Sequence, residues 1–231
     1  AQGKEVIYDA EHFFDGYRAN PAYALATLEA AARGGATCVV LCDTNGGALP
    51  WFVEEVTGRA VERLGAGLVG IHTHDDTGCG VANALAAVRA GAVQVQGTVN
   101  GYGERVANAN LCTIIPDLQL KMGYDCVSAE RLAGLTDLSR YVAELANLTH
   151  DDHLPYVGAS AFAHKAGLHA SAIRVDPDLY QHTDPMTVGN DMRMLVSEMA
   201  GRASVELKGR ELGFDLAGDK AALTRITERV K

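Results

Sequence analysis

The stretch LVGIHTHD, residues 68–75, ends a short apolar run with two histidines that are one residue apart. On a β-strand, His72 and His74 would point to the same face with Cα atoms about 6.5 Å apart, so both rings could reach one metal ion. On a helix, two residues at this spacing diverge. The pattern therefore favours a strand that ends in a chelating pair, and a strand with two packed, hydrogen-bonded histidines is the alternative.

This strand candidate belongs to a unit that recurs four times before Gly123. Each unit has a short apolar run, a loop with Gly or Pro, and an amphipathic helical stretch. The runs are EVIYDAE, CVVLCDT, LVGIHTHD and VQVQGTVN, and the helical stretches are residues 21–36, 50–65, 81–92 and 107–123. The runs close on polar residues that are 28 to 34 residues apart, namely Asp9, Asp43, His72 and Asn100. This repeat predicts an α/β fold with parallel strands, and four units amount to half of a (β/α)8 TIM barrel, which takes about 250 residues.

The composition changes after the fourth unit. Residues 128–148 read as one helix, whose apolar stripe is Leu132, Leu135, Leu138, Val142 and Leu145. A short helix is expected at residues 165–173, and a final helix over residues 203–216 that Gly213 stops. The sequence therefore predicts a barrel part over residues 1–126 and a small helical subdomain over residues 127–231.

The net charge limits the classes of partner, and the cysteine content indicates the compartment. The net charge of -9 disfavours nucleic acid and anionic membranes as partners. No apolar run approaches the roughly 18 residues of a membrane span, and the first residues lack a basic segment followed by an apolar one. The five cysteines include no CxxC pair, which favours a reducing cytoplasm.

Four motifs carry a family resemblance. LCDTNGG, GIHTHDDTG, VQGTVNGYGERVANANL and AFAHKAGLHASAI follow one another in the order found in the metal-dependent 2-isopropylmalate, homocitrate and citramalate synthases. Within that family, VIYDAEHFFDGYRANP and DDHLPYVGASAFAHKAGLH resemble the citramalate synthases most. The family's first strand, with an acidic metal ligand and an Arg, has no match, so the resemblance implies the C-terminal half of the barrel.

The resemblance implies a Claisen-type condensation of acetyl-CoA with a 2-keto acid, pyruvate in the citramalate branch, followed by thioester hydrolysis. It assigns His72, His74 and Asn108 to a divalent metal, which could be zinc, manganese or magnesium. It assigns Thr44 to the substrate carboxylate, although a Thr at a strand end can also cap a loop. Ala107 stands where the family usually has Gly, which puts the Asn108 contact in doubt.

The remaining catalytic residues are also implied by the resemblance. Glu104 would orient a metal ligand, or would only pair with Arg105 at the surface. His169 and Tyr180 match the family's acid-base pair, which acts in the active site of the neighbouring subunit of a homodimer; packing is the alternative role for Tyr180.

Other functions stay open. The family also makes isopropylmalate and homocitrate, and similar barrels are carbon-carbon lyases. A noncatalytic half-barrel with exposed strand edges is the alternative from another class. Even if the enzyme assignment holds, we expect residues 1–231 alone to be inactive.

Overall fold

The computed structural model describes residues 3–165, 167–173, 175–196, 201–216 and 218–230. The chain divides into two compact units, Ala1–Cys126 and Val127–Lys231. Each unit is described by itself.

The first unit is built on a four-stranded parallel sheet. Its strands are β1 (Ile7–Ala10), β2 (Cys38–Asp43), β3 (Val69–Thr73) and β4 (Gln94–Gln96). They are ordered β1-β2-β3-β4, and every neighbouring pair is parallel. This is the order of consecutive strands in a (β/α) barrel, so the predicted α/β architecture is confirmed.

A hydrogen bond between the outer strands shows that the sheet is curved. Gln96 Nε2 on β4 donates to Asp9 Oδ1 on β1 at 3.0 Å. In a flat sheet these strands would be three spacings, about 14 Å, apart, which is too far for the two side chains to bridge. The sheet therefore bends, and Asp9 and Gln96 lie on its concave face.

Alternate residues of the strands pack on opposite faces, as the pleat requires. The convex face presents apolar side chains to the helices, among them Val39, Leu41, Val69 and Ile71. On the other face of β2, Cys38, Val40 and Cys42 form a separate buried cluster. All six residues of β2 are buried, which explains why its sequence is an unbroken apolar run up to Asp43.

Five α-helices accompany these strands. They are α1 (Phe13–Ala19), α2 (Pro21–Arg33), α3 (Pro50–Leu64), α4 (Gly80–Arg89) and α5 (Leu111–Pro116). The sequence did not predict α1, which buries Phe13 and Phe14. The expected helix over 107–123 is shorter and begins at Leu111, where the Asn110 side chain caps it by accepting from the N–H of Cys112. Its α-helical part ends at Pro116, which lacks the N–H that continues the ladder, and a π-helical turn follows at Asp117–Lys121.

The second unit is mainly helical. Its elements are α6 (Ala129–Ala133), α7 (Leu135–Leu145), β5 (Ala163–His164), α8 (Gly167–Ile173), β6 (Arg193–Met194), α9 (Arg202–Glu211) and α10 (Lys220–Val230). The short strands β5 and β6 form a parallel pair that the sequence did not predict. The helix expected near residues 165–173 corresponds to α8.

The prediction of one helix over residues 128–148 is wrong. The chain forms two helices that part at Gly134, and the expected stripe is only partly buried. Leu132 and Leu135 are buried, but Leu138 is 44% and Leu145 is 68% exposed. The buried face of α7 instead includes polar side chains, because each finds a partner: Thr136 Oγ1 donates to Val188 O at 2.7 Å, and Ser139 Oγ lies 2.8 Å from His150 Nε2.

The end of the chain corrects a second expectation. Helix α9 stops before Gly213 as predicted, with Gly213 at φ +84° and the Phe214 N–H donating to Gly209 O at 2.8 Å. However, α9 is not the final helix, because α10 follows it. None of the helices in the described part of the chain is long and apolar enough to cross a membrane.

Candidate active site

The candidate site lies at the carboxyl ends of β2, β3 and β4. His72 is the fourth residue of β3, and His74 follows the strand directly, where it pairs with Asn108 in an isolated antiparallel bridge. The ring centroids of His72 and His74 are 5.2 Å apart, with an angle of 36° between the planes. The two imidazoles therefore lie side by side, as their spacing on a strand predicts.

The two histidines differ in their hydrogen bonds. Nδ1 of His72 lies 2.8 Å from Oε1 of Gln96, the residue directly opposite it on β4. Nδ1 of His74 is buried, and among the described residues it has no hydrogen-bond partner. The pKa of His74 is lowered, chiefly by burial and then by the nearby His72 and Arg105. The surroundings of His74 thus favour its neutral form, and its Nδ1 has no partner among the described residues.

Asn108 is held beside this pair by backbone and side-chain contacts. The N–H of Asp75 donates to Ala107 O and that of Ala109 donates to Thr73 O, both at 2.9 Å. These two backbone hydrogen bonds attach the Asn108 loop to the end of β3. The Asn108 side chain donates from Nδ2 to Tyr102 O at 3.3 Å. A Cβ atom on Gly103 would lie 2.0 Å from that nitrogen, so any larger residue there would displace the Asn108 amide. The amide oxygen is the atom of Asn108 that can serve as a ligand.

Thr44 follows β2, and its hydroxyl is fully engaged. Its Oγ1 accepts from the N–H of His12 and donates to Glu11 Oε2, each at 2.7 Å. The preceding residue, Asp43, is buried, and its carboxylate accepts from the N–H of Ala48 at 3.2 Å. Burial raises the pKa of Asp43. Thr44 is therefore the half-buried polar end of a loop that Asp43 organises.

Glu104 lies in solvent, and its neighbour Arg105 makes the ordered contacts. The Glu104 side chain is 88% exposed and lies 3.9 Å from Arg105. Arg105 donates to both carboxylate oxygens of Asp76, at 2.8 and 3.0 Å, and to Thr44 O at 2.7 Å. Arg105 thus joins the loops that follow β2, β3 and β4, a link that the sequence did not predict.

His169 and Tyr180 meet within the second unit. Their rings stack with centroids 4.1 Å apart, and His164 lies 6.3 Å from His169 and 6.5 Å from Tyr180. The pKa of His164 is lowered by burial and by His169. Two residues named from the sequence are therefore brought into contact, together with a third from the same motif.

The side chains of this site include donors for a divalent metal ion. Within the part of the chain that the structure describes, no three His, Cys, Asp or Glu side chains are grouped closely enough to hold an ion. The donors present are two imidazoles and one amide oxygen. An imidazole whose neutral form is favoured, and whose buried Nδ1 has no partner among the described residues, is suited to bind a cation, so these residues fit a divalent metal as part of a ligand set.

Sequence reasoning missed the residues that support this pair. The sequence marks Asp9 only as the end of an apolar run, and no local motif identifies Gln96, Glu11 or Asp76. For Gln96, a signal exists once the strands are aligned, because it lies opposite His72 in register.

Comparison with known proteins shows which family the chain belongs to. The family model described as HMGL-like matches residues 3–142. The chain belongs to the HMGL-like family. A second model, described as Homocitrate synthase post-HMGL domain-like, matches residues 156–231.

Relatives of this HMGL-like chain include three synthases. It is 61% identical to an (R)-citramalate synthase from Streptomyces coelicolor over 100% of this chain and 43% of that protein. It is 52% identical to an (R)-citramalate synthase from Synechocystis, over 100% of this chain and 44% of that protein. A 2-isopropylmalate synthase from Parasynechococcus marenigrum is 34% identical over 87% of this chain and 40% of that protein. The chain thus spans less than half the length of these relatives.

Solved structures support the HMGL-like fold. An HMG-CoA lyase from Acinetobacter baumannii matches with a TM-score of 0.50 at 21% identity, covering 56% of this chain and 43% of that one. The HMG-CoA lyase from Bacillus subtilis matches with a TM-score of 0.50 at 24% identity, covering 56% of this chain and 44% of that one. At this identity the likeness concerns the fold alone.

Proposed function

We propose that this chain is part of a citramalate synthase, which condenses acetyl-CoA with pyruvate to give citramalate and CoA. The observation that carries the proposal is the 61% identity to an (R)-citramalate synthase over all 231 residues. Identity to a 2-isopropylmalate synthase is 34%.

The reaction sets the tasks that the residues must perform. A proton leaves the acetyl methyl group, the resulting carbanion bonds to the ketone carbon of pyruvate, and the ketone oxygen becomes an alkoxide that takes up a proton. Water then cleaves the thioester, which releases CoA. The protein must therefore hold the keto acid, stabilise negative charge on its oxygen and move two protons.

His72, His74 and Asn108 would hold the divalent metal, with zinc, manganese and magnesium as candidates. When bound, the metal supplies Lewis-acid polarisation of the ketone. The lowered pKa of His74 supports this role, because a protonated imidazole cannot bind a cation.

Thr44 would bind the carboxylate of the keto acid. Its hydroxyl proton is directed at Glu11, so a substrate carboxylate would take the place of Glu11 as acceptor. The N–H of His12 would continue to hold the Thr44 oxygen. This exchange keeps the hydrogen-bond count constant and needs only a rotation of the exposed Glu11 side chain.

Glu104 would act beside the metal ligands. The pKa of His74 is lowered, chiefly by burial, and the negative charge of Glu104 opposes that lowering only slightly. The Glu104 side chain is exposed, so it can turn towards a bound substrate without breaking a close ion pair.

His169 and Tyr180 would move the protons. Their stacked rings place an imidazole and a phenol together, two groups that can serve as base and acid. As the family resemblance implies, we propose that they work in the active site of the neighbouring subunit, so the enzyme would be a homodimer. We also propose that it acts in the cytoplasm, on small molecules only.

Substrate profiling tests the proposal. The full-length gene product is supplied with acetyl-CoA and either pyruvate, 2-oxoisovalerate or 2-oxoglutarate, and release of the CoA thiol is followed. The highest kcat/KM is expected for pyruvate. A clear preference for either larger acid would refute the citramalate assignment.

Homocitrate synthesis is the second candidate. It is favoured by the match of residues 156–231 to the homocitrate synthase post-HMGL domain. Preference for 2-oxoglutarate in the same assay would establish it instead.

A further inference from the structure

Gln96 bridges two side chains on the concave face of the sheet. It lies directly opposite His72 in the β3-β4 register, with its Oε1 2.8 Å from Nδ1 of His72. At its other end, Nε2 donates to Oδ1 of Asp9 at 3.0 Å. One amide therefore connects β1 and β3 through β4.

The carboxylate of Asp9 fixes which way the amide points. A carboxylate can only accept hydrogen bonds, so it requires the NH2 end of Gln96. The carbonyl end must then face His72. This end can only accept, and it therefore requires a proton on Nδ1 of His72.

A neutral imidazole carries one proton, so a proton on Nδ1 leaves the lone pair on Nε2. His74 has no such constraint, since its Nδ1 has no partner among the described residues. The two histidines thus differ: within the described part of the chain, a hydrogen bond from a second side chain orients His72, and Nδ1 of His74 has no such bond.

We propose that Gln96, oriented by Asp9, is a positioning residue that holds His72 in its Nδ1–H tautomer and so presents Nε2 to the metal. The inference rests on the proposed function only where it invokes the metal. The hydrogen-bond relay itself is a property of the metal-free protein.

The first experiment reads the tautomer directly. The metal-free full-length gene product, labelled with 15N-histidine, is studied by NMR at about pH 8, above the ordinary imidazole pKa of about 6.5. His72 is assigned by its loss in His72→Asn. We expect a protonated Nδ1 and an unprotonated Nε2 in the wild type, and a shift towards the other tautomer in Gln96→Leu.

Gln94→Leu is the matched control. Gln94 lies on the same face of the same strand, opposite Gly70, and its Oε1 lies 3.9 Å from Cys38 Sγ. Removing it should leave the His72 tautomer unchanged. Asp9→Asn/Gln96→Glu keeps an acceptor opposite Nδ1 of His72 and supplies an amide donor from position 9 to the new carboxylate, so it should retain the wild-type tautomer. This double variant separates positioning from packing if Gln96→Leu folds poorly.

The second experiment measures metal affinity without turnover. Zn²⁺ or Mn²⁺ is titrated into each variant by calorimetry. Loss of a residue that orients a ligand typically weakens binding about 10- to 100-fold, so Kd should rise by that factor in Gln96→Leu. It should stay at the wild-type value in Gln94→Leu.

The outcomes separate the inference from the proposed function. A wild-type His72 with its proton on Nε2, or an unchanged Kd in Gln96→Leu, overturns the role of Gln96. If the tautomer depends on Gln96 but no divalent metal binds the wild type, the metal-centred function fails and the relay is upheld. If metal binding depends on Gln96 but pyruvate is not a substrate, only the substrate assignment fails.

Discussion

Replacing Ala107 with glycine should stabilise the protein. Ala107 has φ +152°, a region that favours glycine, and it is held there because its carbonyl accepts from the N–H of Asp75 at 2.9 Å. Such strain amounts to about 1–3 kcal/mol, while the extra freedom of glycine in the unfolded chain offsets about 0.4–1 kcal/mol. In a protein more than twice the length of this chain, a net gain of about 1 kcal/mol would raise Tm by about 1 °C.

Ala109→Gly is the matched control in the same loop. Ala109 is fully buried and its φ is not positive, so the change removes a packed methyl group, worth about 0.8 kcal/mol, without relieving strain. Thermal unfolding of the full-length gene product should therefore show Tm rising for Ala107→Gly and falling for Ala109→Gly. A fall in both would refute the strained conformation of Ala107.

Three further predictions follow from other parts of the molecule. Because the pKa of His164 is lowered in the folded state, the unfolded state binds more protons below about pH 6.5, so the free energy of unfolding should fall as the pH drops through that value. The fall should be less steep in His164→Gln. Denaturant titrations at several pH values measure it, and an equal dependence of the unfolding free energy on pH in both proteins would contradict the prediction. Burial raises the pKa of Cys42 to about 12, so alkylation of the native protein should modify the exposed Cys126 and spare Cys42. Peptide mass spectrometry reads the labelling, and equal labelling of both would show that the concave face of the sheet is open to the reagent. Residues 1–231 expressed alone should not turn over acetyl-CoA and pyruvate. In the described sheet β1 and β4 each pair with one neighbour, so four units leave the barrel open at both outer strands. Turnover comparable to that of the full-length gene product would show that four units suffice.

The barrel units could be predicted because their signals are local. Each strand is an apolar run, and each helix carries its own periodicity and start signal, such as Asn20 before Pro21. Helix α1 was missed because Gly16 weakens its local preference, and burial of Phe13 and Phe14 supplies what the local sequence lacks.

The buried face of α7 could not be predicted in the same way. Apolar spacing identified a helix, but Thr136 and Ser139 are buried because partners distant in sequence satisfy their hydroxyls. Leu138 and Leu145 remain exposed. Periodicity identifies a helix face and does not reveal which partners the fold supplies.

In the candidate site too, some features could be predicted from the local sequence and others depend on the fold. The proximity of His72 and His74 follows from the two-residue repeat of a strand and was predicted. Contacts such as Gln96 with His72, or Arg105 with Asp76, depend on strand register and loop paths, which the local sequence does not encode. The catalytic and binding roles named from the sequence stay predictions.

Metal content distinguishes a chelating pair of histidines from a packed one. The full-length gene product, loaded with zinc or manganese and freed of excess metal, should retain about one ion per chain, because a chelating pair holds a single ion. His72→Ala and His74→Ala should each lose the ion and the release of CoA thiol while keeping the wild-type circular dichroism spectrum, and His153→Ala, at an exposed histidine of the second unit, should lose neither. Retention of the ion and of full turnover by His72→Ala would contradict the assignment of this pair as the metal centre.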